Sequence, residues 1–182
     1  MSSLQQLSNT LKRLASAEHY LFTPADLHGA LPQHSKAALQ VVLGRAVKAK
    51  VLERVCQGLY LYPDAYISDG LLLYRAAARL RASDFNYLSL ESVLSDAGVI
   101  SQIPLAWITL MSSGRNRLVD CGRFGRIEFI HTQRTAAALV EQLSWDTQAQ
   151  VWRASVPLAL RDMQHTKRSL ELIDREVLSE FV

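Results

Sequence analysis

The chain has 182 residues, of which 49% are hydrophobic and 20% are charged, and its net charge is +3. This is the composition of an ordinary soluble globule with enough residues for one large core or two small ones. The net charge is too small to indicate a nucleic-acid-binding protein by itself.

Cysteine spacing and hydropathy exclude several classes of protein. Cys56 and Cys121 are far apart and belong to no CxxC or Cys/His cluster, which argues against a disulfide scaffold and a structural zinc site. The polar N-terminus lacks the apolar core of a signal peptide, and no apolar run approaches the roughly eighteen residues of a spanning helix. We therefore expect a soluble, cytoplasmic protein that has no membrane partner.

Three helices are predicted in the first fifty residues. Residues 3–15 carry leucines at helical spacing, a stripe typical of a core-facing helix, although the same stripe would also serve as a dimer seam. Thr23 and Pro24 have the residue types of a helix cap and first helical position, and this short helix stops at Pro32. Ser35 is placed to cap a longer helix that runs from Lys36 to about residue 50.

The longer helix has two distinct faces. Its predicted buried stripe consists of Ala38, Leu39, Val42, Leu43, Ala46 and Val47. Its opposite face carries Lys36, Gln40, Gly44 and Lys48, with Ala37, Val41 and Arg45 beside them. Such a face offers cations to phosphates, an amide to an adenine edge, and small residues that let a helix approach a groove.

A hairpin follows this helix. Residues 51–55 and 59–63 alternate in polarity around a Gln57-Gly58 turn, and Arg54 lies near the predicted tip. Helix, turn, longer helix and hairpin are the order of a winged helix-turn-helix. Residues 1–63 hold seven Lys/Arg and three Asp/Glu, a net of +4, whereas the remaining residues have a net of −1. The excess positive charge therefore lies on the predicted DNA-binding segment.

These patterns predict a DNA-binding surface and a domain boundary. The predicted DNA-binding residues are Ser35, Lys36, Gln40, Arg45, Lys48, Lys50 and Arg54. The winged-helix domain is expected to occupy residues 1–66 and a second domain residues 67–182. The alternative is a small helical subdomain whose basic residues are only solvated.

The second domain is predicted to be α+β, with an antiparallel sheet. Helices are expected over residues 70–81, 87–98, 135–143, from Pro157 to Met163 or beyond, and over 169–181. Residues 99–104 are expected to form a connector. Strands are expected over residues 107–111, 118–121, 126–131 and 150–155, and glycine-containing turns among the first three suggest an antiparallel meander.

The sequence contains no strong signature of an active site. Nucleotide-binding, hydrolase and metalloprotease motifs are missing, and the five histidines have no metal-ligand spacing. His131 with Asp120 and either Ser89 or Glu91 would make a hydrolytic constellation, but a strand-end histidine is more often a surface residue. We therefore expect a protein that is not an enzyme and uses neither a cofactor nor a metal.

A second basic patch is predicted in the second domain. Arg115, Arg117, Arg123 and Arg126 lie on two neighbouring turns, where their guanidinium groups would suit phosphate or carboxylate. Flanking DNA and an acidic partner protein are both suitable ligands. The alternative is a set of ordinary solvated turn arginines.

Several motifs resemble, in order, those of AbiEi-type antitoxins. They are the wing at residues 57–63, residues 87–94 with Gly98, residues 107–110, the strand at residues 126–129, and residues 152–162. The last of these is similar to the family's Ala-x-Pro-x-x-Ala-Leu-x-Asp helix, with Pro157 displaced by one position. The resemblance covers about residues 20–165.

The resemblance implies a two-domain antitoxin of a type IV toxin–antitoxin system. Its winged helix would bind double-stranded DNA at repeats in its own promoter and repress transcription, as a dimer or as two copies. Its C-terminal domain would counteract a cognate toxin resembling a nucleotidyltransferase. The rival hypothesis is a protein-interaction module without specific DNA binding.

Overall fold

The computed structural model describes residues 1–101 and 106–182, and it divides the chain into two compact units, Met1–Leu72 and Leu73–Val182. The division falls inside the first turn of a helix, whereas the boundary predicted from the sequence follows residue 66. That boundary stays a prediction about which segments fold independently. Among the described residues, no helix is both long enough and apolar enough to cross a membrane.

The N-terminal unit has the element order of a winged helix-turn-helix. Its elements are α1 (Ser3–Leu14), β1 (Leu21–Phe22), α2 (Pro24–Ala30), α3 (Lys36–Lys48), β2 (Glu53–Cys56) and β3 (Leu59–Leu61). The three strands form one antiparallel sheet in the order β1-β3-β2. A single 3-10 turn, Pro63–Ala65, follows the sheet.

Side-chain caps fix where the three helices begin. Ser2 and Gln5 form a capping box at α1, and Thr23 and Asp26 form another at α2, where the Thr23 N–H donates to the Asp26 carboxylate at 2.7 Å. Ser35 accepts from the N–H of Ala38 at 3.2 Å and so caps α3. Because these bonds satisfy donors that a helix start leaves unpaired, local sequence alone specifies each start.

The predicted apolar stripes form the core of this unit. Leu39, Val42, Leu43 and Ala46 of α3 are buried, together with Leu7 and Leu11 of α1. Leu14, the last leucine of the α1 stripe, is 55% exposed, so the stripe ends one turn before the helix does. The face of α3 opposite this core remains in solvent.

The C-terminal unit is α+β, as predicted, and is built on a six-stranded sheet. Its helices are α4 (Leu72–Leu80), α5 (Leu90–Asp96), α6 (Ala136–Leu139), α7 (Val156–His165) and α8 (Arg175–Leu178). Its strands are β4 (Asn86–Leu88), β5 (Trp107–Ser112), β6 (Arg117–Asp120), β7 (Arg126–His131), β8 (Leu143–Asp146) and β9 (Val151–Ala154). Helices α5 and α7 pack against each other, and α5 also packs on β5.

The predicted antiparallel sheet is present in part, but the predicted meander is wrong. The strand order is β6-β7-β5-β4-β9-β8, and the pairs β6–β7, β4–β5 and β8–β9 are antiparallel. The β5–β7 and β4–β9 pairs are parallel. Strand β7 lies between β5 and β6. Six consecutive residues of β7 pair in parallel with β5, and the other edge of β7 pairs with its hairpin partner β6.

Three other predictions for this unit need correction. The predicted helix over residues 87–98 begins as strand β4, and the helix α5 starts only at Leu90. The predicted last helix over residues 169–181 is reduced to α8, and Ile173 instead forms an isolated bridge to Ile100. Strand β8 was not predicted. The connector expected over residues 99–104 lies partly outside the described residues.

Candidate nucleic-acid interface

The outward face of α3 carries the predicted DNA-binding side chains. Its exposed residues are Lys36, Ala37, Gln40, Val41, Gly44, Arg45 and Lys48. With about 100° between successive helical residues, Gly44 and Ala37 lie at the middle of this face. Gln40 lies on one side of them, Lys48 and then Val41 lie on the other, and Lys36 and Arg45 form the two margins. The face therefore has small residues at its centre, one cation beside them and a cation at each margin.

The polar side chains of this face are available to a ligand. Within the described part of the chain, Lys36, Gln40, Arg45 and Lys48 make no side-chain hydrogen bond or ion pair. The first turn of α3 contains no acidic residue, so the positive end of its helix dipole is not offset there. A cleft of about 480 Å³ between α2 and α3 is lined by Pro24, Ala25, His28, Lys36, Ala37, Leu39 and Gln40.

Lys50 occupies a backbone position that normally belongs to glycine. It lies just after α3 with a φ of +58°, in the left-handed region, and the N–H groups of Val51 and Leu52 both donate to the carbonyl of Ala46. Glycine is the usual residue where a helix ends in this way, because it has no Cβ. A lysine here places a cation beside the end of α3 at some cost in backbone energy.

The wing is a tight hairpin with one exposed arginine. Gly58 has a φ of +84° in the two-residue turn, a conformation that a side chain would strain. Arg54 lies on β2 opposite Tyr60, and the pairing register shifts between Arg54 and Cys56. Arg54 is exposed and lies on the strand, three residues before the start of the turn.

The structure therefore brings together one set of predicted residues and separates another. The seven candidate residues from Ser35 to Arg54 lie on a single helix, its two ends and the following strand. In the C-terminal unit, Arg115 and Arg117 lie at one end of β6, whereas Arg123 and Arg126 lie at the other. The Arg123 guanidinium stacks on Phe124 at 4.1 Å, and that of Arg126 lies 5.5 Å from Trp107. The four arginines form two exposed pairs.

The hydrolytic constellation considered from the sequence is not assembled. His131 and Asp120 lie at opposite ends of the β6–β7 pair, since Asp120 is opposite Arg126 at the start of β7 and His131 ends that strand. His131 is exposed, and its Nδ1 lies 2.9 Å from the Gly114 carbonyl. Glu91 is bound instead by Arg168 at 2.8 Å. Among the described residues no group of three or more His, Cys, Asp or Glu side chains could hold a metal ion.

The structure contains a buried carboxylate whose role sequence analysis does not predict. Asp162 of α7 is fully buried, accepts from the Ser89 hydroxyl at 2.7 Å, and is paired with Nη1 of Arg134 at 2.7 Å. The Thr109 hydroxyl donates to the Ser89 carbonyl at 2.8 Å. The cluster thus joins α7, the loop after β7, the start of α5 and the central strand β5.

Burial controls the titration of this cluster. Desolvation raises the pKa of Asp162 above its usual value, although the Ser89 hydrogen bond and the Arg134 charge oppose the shift. Burial also raises the pKa of the Tyr87 hydroxyl, and the nearby Asp162 charge adds to that effect. The cluster is partly closed from solvent and contains a charge held by the fold, which is typical of a structural ion pair.

Two exposed tryptophans mark one edge of the six-stranded sheet. Trp145 of β8 and Trp152 of β9 form a cross-strand pair with ring centroids 5.3 Å apart, and they are 49% and 41% exposed. They border a cleft of about 430 Å³ that also contains Phe85. Sequence analysis had not identified this feature, because Trp145 lies on the strand that it did not predict.

Comparison with known proteins identifies the N-terminal segment. Residues 9–63 match the family model described as "Transcriptional regulator, AbiEi antitoxin". The match runs from the second half of α1 to just beyond β3, so it includes the whole of α3 and the wing, and it confirms the resemblance over this segment. No curated protein and no solved structure matches the chain.

Proposed function

We propose that this chain, whose N-terminal unit carries the regulator segment of AbiEi-type antitoxins, is a DNA-binding repressor of its own operon. Lys36, Gln40 and Arg45 face the major groove. Lys48, Lys50 and Arg54 hold phosphates, and Ser35 with the N–H groups of the helix start receives one more. The targets are repeats in the promoter of the operon, bound by a homodimer or by two copies.

The cationic outer face of α3 is the observation that carries this proposal. Its cations lie around small residues, and its polar side chains make no hydrogen bond or ion pair among the described residues, so they are available to a ligand. Lys50, in the left-handed position just after α3, places one further cation beside the end of that helix.

The first experiment measures binding to the DNA immediately upstream of the chain's own reading frame, titrated against salt and compared with random duplex. Tight, sequence-selective binding with a steep salt slope is expected. Lys36→Ala/Arg45→Ala should weaken it and flatten the slope of log K against log salt by up to about two.

A matched control removes the same charges from another helix. Lys12 and Arg13 are exposed at the end of α1, so Lys12→Ala/Arg13→Ala lowers the net charge equally without touching α3. Equal losses in the two double variants would mean that only net charge matters. Unchanged affinity in a folded Lys36→Ala/Arg45→Ala protein would overturn the site.

We assign the antitoxin activity to the C-terminal unit, which would counteract a nucleotidyltransferase-like toxin. The test is co-expression with the product of the neighbouring gene: growth should be restored by the full chain. A Lys36→Ala/Arg45→Ala chain should still restore growth, because repression and neutralisation reside in different units. Failure of the full chain to restore growth would reject this assignment.

The Trp145–Trp152 pair favours a second candidate, an interaction module in which the winged helix only packs. Exposed tryptophans are enriched where proteins bind partners. Affinity for a partner that Trp145→Ala/Trp152→Ala abolishes, with no salt-sensitive DNA binding, would favour this candidate over the repressor.

A further inference from the structure

Two residues on the outer face of α3 are poorly suited to the protein in isolation. Val41 is an aliphatic side chain that is 55% exposed in the middle of a helix. Gly44, one turn later, is also exposed, and a Cβ built on it would have no atom within 4 Å. The free protein therefore has room for a larger residue at position 44 and gains little from an apolar one at position 41.

Physical chemistry disfavours both choices in an exposed helix. Glycine is among the worst residues for a helix interior, and valine loses side-chain freedom there. The rest of the exposed face is Ala37 together with polar or cationic residues: Gln40 on the far side of Gly44, and Lys36, Arg45 and Lys48. One valine with one alanine is too small an apolar surface for a hydrophobic protein–protein contact, which needs a contiguous patch.

The arrangement does fit the floor of a DNA major groove. Phosphates border that groove on both sides, and the one apolar group exposed on its floor is the 5-methyl group of thymine. Lys48 and the cations that follow α3 are suited to the phosphates, and Val41 is suited to the methyl group. Gly44, at the centre of the face, removes the side chain that would hold the helix axis away from the bases.

We propose that Val41 determines specificity by packing on a thymine 5-methyl group, and that Gly44 allows the close approach this contact requires. The inference rests on the proposed repressor function and adds that the bound site contains an A·T pair opposite the middle of α3. The Gln40 amide, on the other side of Gly44, is likewise suited to an adenine edge.

Replacing thymine by uracil isolates the methyl group. The duplex is one selected by the protein from a random library, then synthesised with single thymines replaced by deoxyuridine, which removes the methyl and nothing else. At one or more positions the wild-type chain should bind the uracil duplex about fourfold more weakly, the factor that corresponds to burial of one methyl group.

Two variants assign the effect to residues. Val41→Ala should bind the thymine duplex more weakly and should no longer distinguish thymine from uracil at that position. Gly44→Ala should fold at least as well as the wild type, because the structure has space for the methyl group. It should nevertheless bind both duplexes more weakly. Val140→Ala, the same truncation at a valine 67% exposed in the other unit, should change neither quantity.

The outcomes separate this inference from the function on which it rests. The inference is overturned if binding is sequence-selective but unaffected by the removal of any thymine methyl group, or if the selected site contains no thymine. The repressor proposal stands in either case. A Val41→Ala chain that still distinguishes thymine from uracil overturns the role of Val41. Undiminished DNA affinity in Gly44→Ala overturns the close approach. No sequence-selective binding in the selection overturns both proposals.

Discussion

Two sets of cations, one in each unit, have opposite surroundings. In the N-terminal unit the cations of α3 are exposed and unengaged among the described residues, and the core beneath them is apolar. In the C-terminal unit, Arg134 is bound to a buried carboxylate, and Arg168 bridges Glu91 and Glu128 at 2.8 Å each. Under the proposed function the charges of α3 serve a ligand, whereas those of Arg134 and Arg168 join secondary-structure elements. Removing a charge should therefore affect binding in the first unit and stability in the second.

The largest effect is expected at the buried carboxylate. Arg134→Ala leaves Asp162 buried without its cation, which should lower the free energy of unfolding of the C-terminal unit by about 3–5 kcal/mol. Arg153→Ala is the control, since Asp96, one of its carboxylate partners, is 45% exposed, and about 1 kcal/mol or less is expected. Chemical denaturation of the two variants measures the difference. Equal losses would remove the distinction between buried and exposed pairs.

In the N-terminal unit the core should control stability. Leu43 of α3 is fully buried, so Leu43→Ala should cost about 2–5 kcal/mol. Lys36→Ala/Arg45→Ala on the opposite face of the same helix should change stability by only about 0.5 kcal/mol. Thermal unfolding of both variants tests the contrast. A large destabilisation by the charge removal would show that these side chains serve the fold.

Replacing Lys50 by glycine should change stability and DNA affinity in opposite directions. Lys50→Gly relieves the left-handed backbone and should raise stability by about 1 kcal/mol. The same change removes the proposed phosphate contact, so DNA affinity should fall and the salt slope should decrease by about one. Lys50→Ala, which keeps the strain and loses the charge, is the matched variant. A Lys50→Gly chain that gained stability without losing affinity would remove Lys50 from the interface.

The smallest effect concerns the pH dependence of the C-terminal unit. Because burial raises the pKa of Asp162 in the folded state, its contribution to stability is present below the unfolded pKa of 3.8 and is lost as pH rises through the folded value. Asp146 should behave oppositely. Its pKa is lowered, chiefly by the hydrogen bond from the N–H of Ala149, so its contribution is lost as pH falls.

Two amide variants test these signs. Asp162→Asn should remove the fall in stability with rising pH, and Asp146→Asn should remove the rise, when unfolding is followed at several pH values from acid to neutral. The same pH response in both variants would contradict the opposite signs.

The N-terminal unit was predictable because its signals are local. Caps at Ser2, Thr23 and Ser35 and the stripe around Leu39 and Leu43 act within one or two helical turns, and the Gln57-Gly58 turn fixes the hairpin. The exposed face of α3 follows directly from the same periodicity.

The C-terminal unit was harder because its determinants are distant in sequence. Strand β4 has only three residues and is followed almost directly by α5, so its apolar residues continue the pattern of the helix and predict helix instead of strand. Its partners β5 and β9 begin at Trp107 and Val151, and no local pattern distinguishes parallel from antiparallel pairing. The Asp162–Arg134 ion pair has only one sign in the sequence, which is a carboxylate among the apolar residues of α7.

The parallel pairing of β4 with β9 bears on how the protein is made. All three strands of the winged helix are outside the ribosome once Leu61 has cleared the exit tunnel. Strand β4, in contrast, lacks its parallel neighbour β9 until Ala154 has been added. Contacts between distant residues form slowly, and domains generally fold as units during synthesis. A nascent chain should therefore present a finished winged helix while its larger sheet is still open. Interrupted translation would then release fragments that retain the first unit and lack the second.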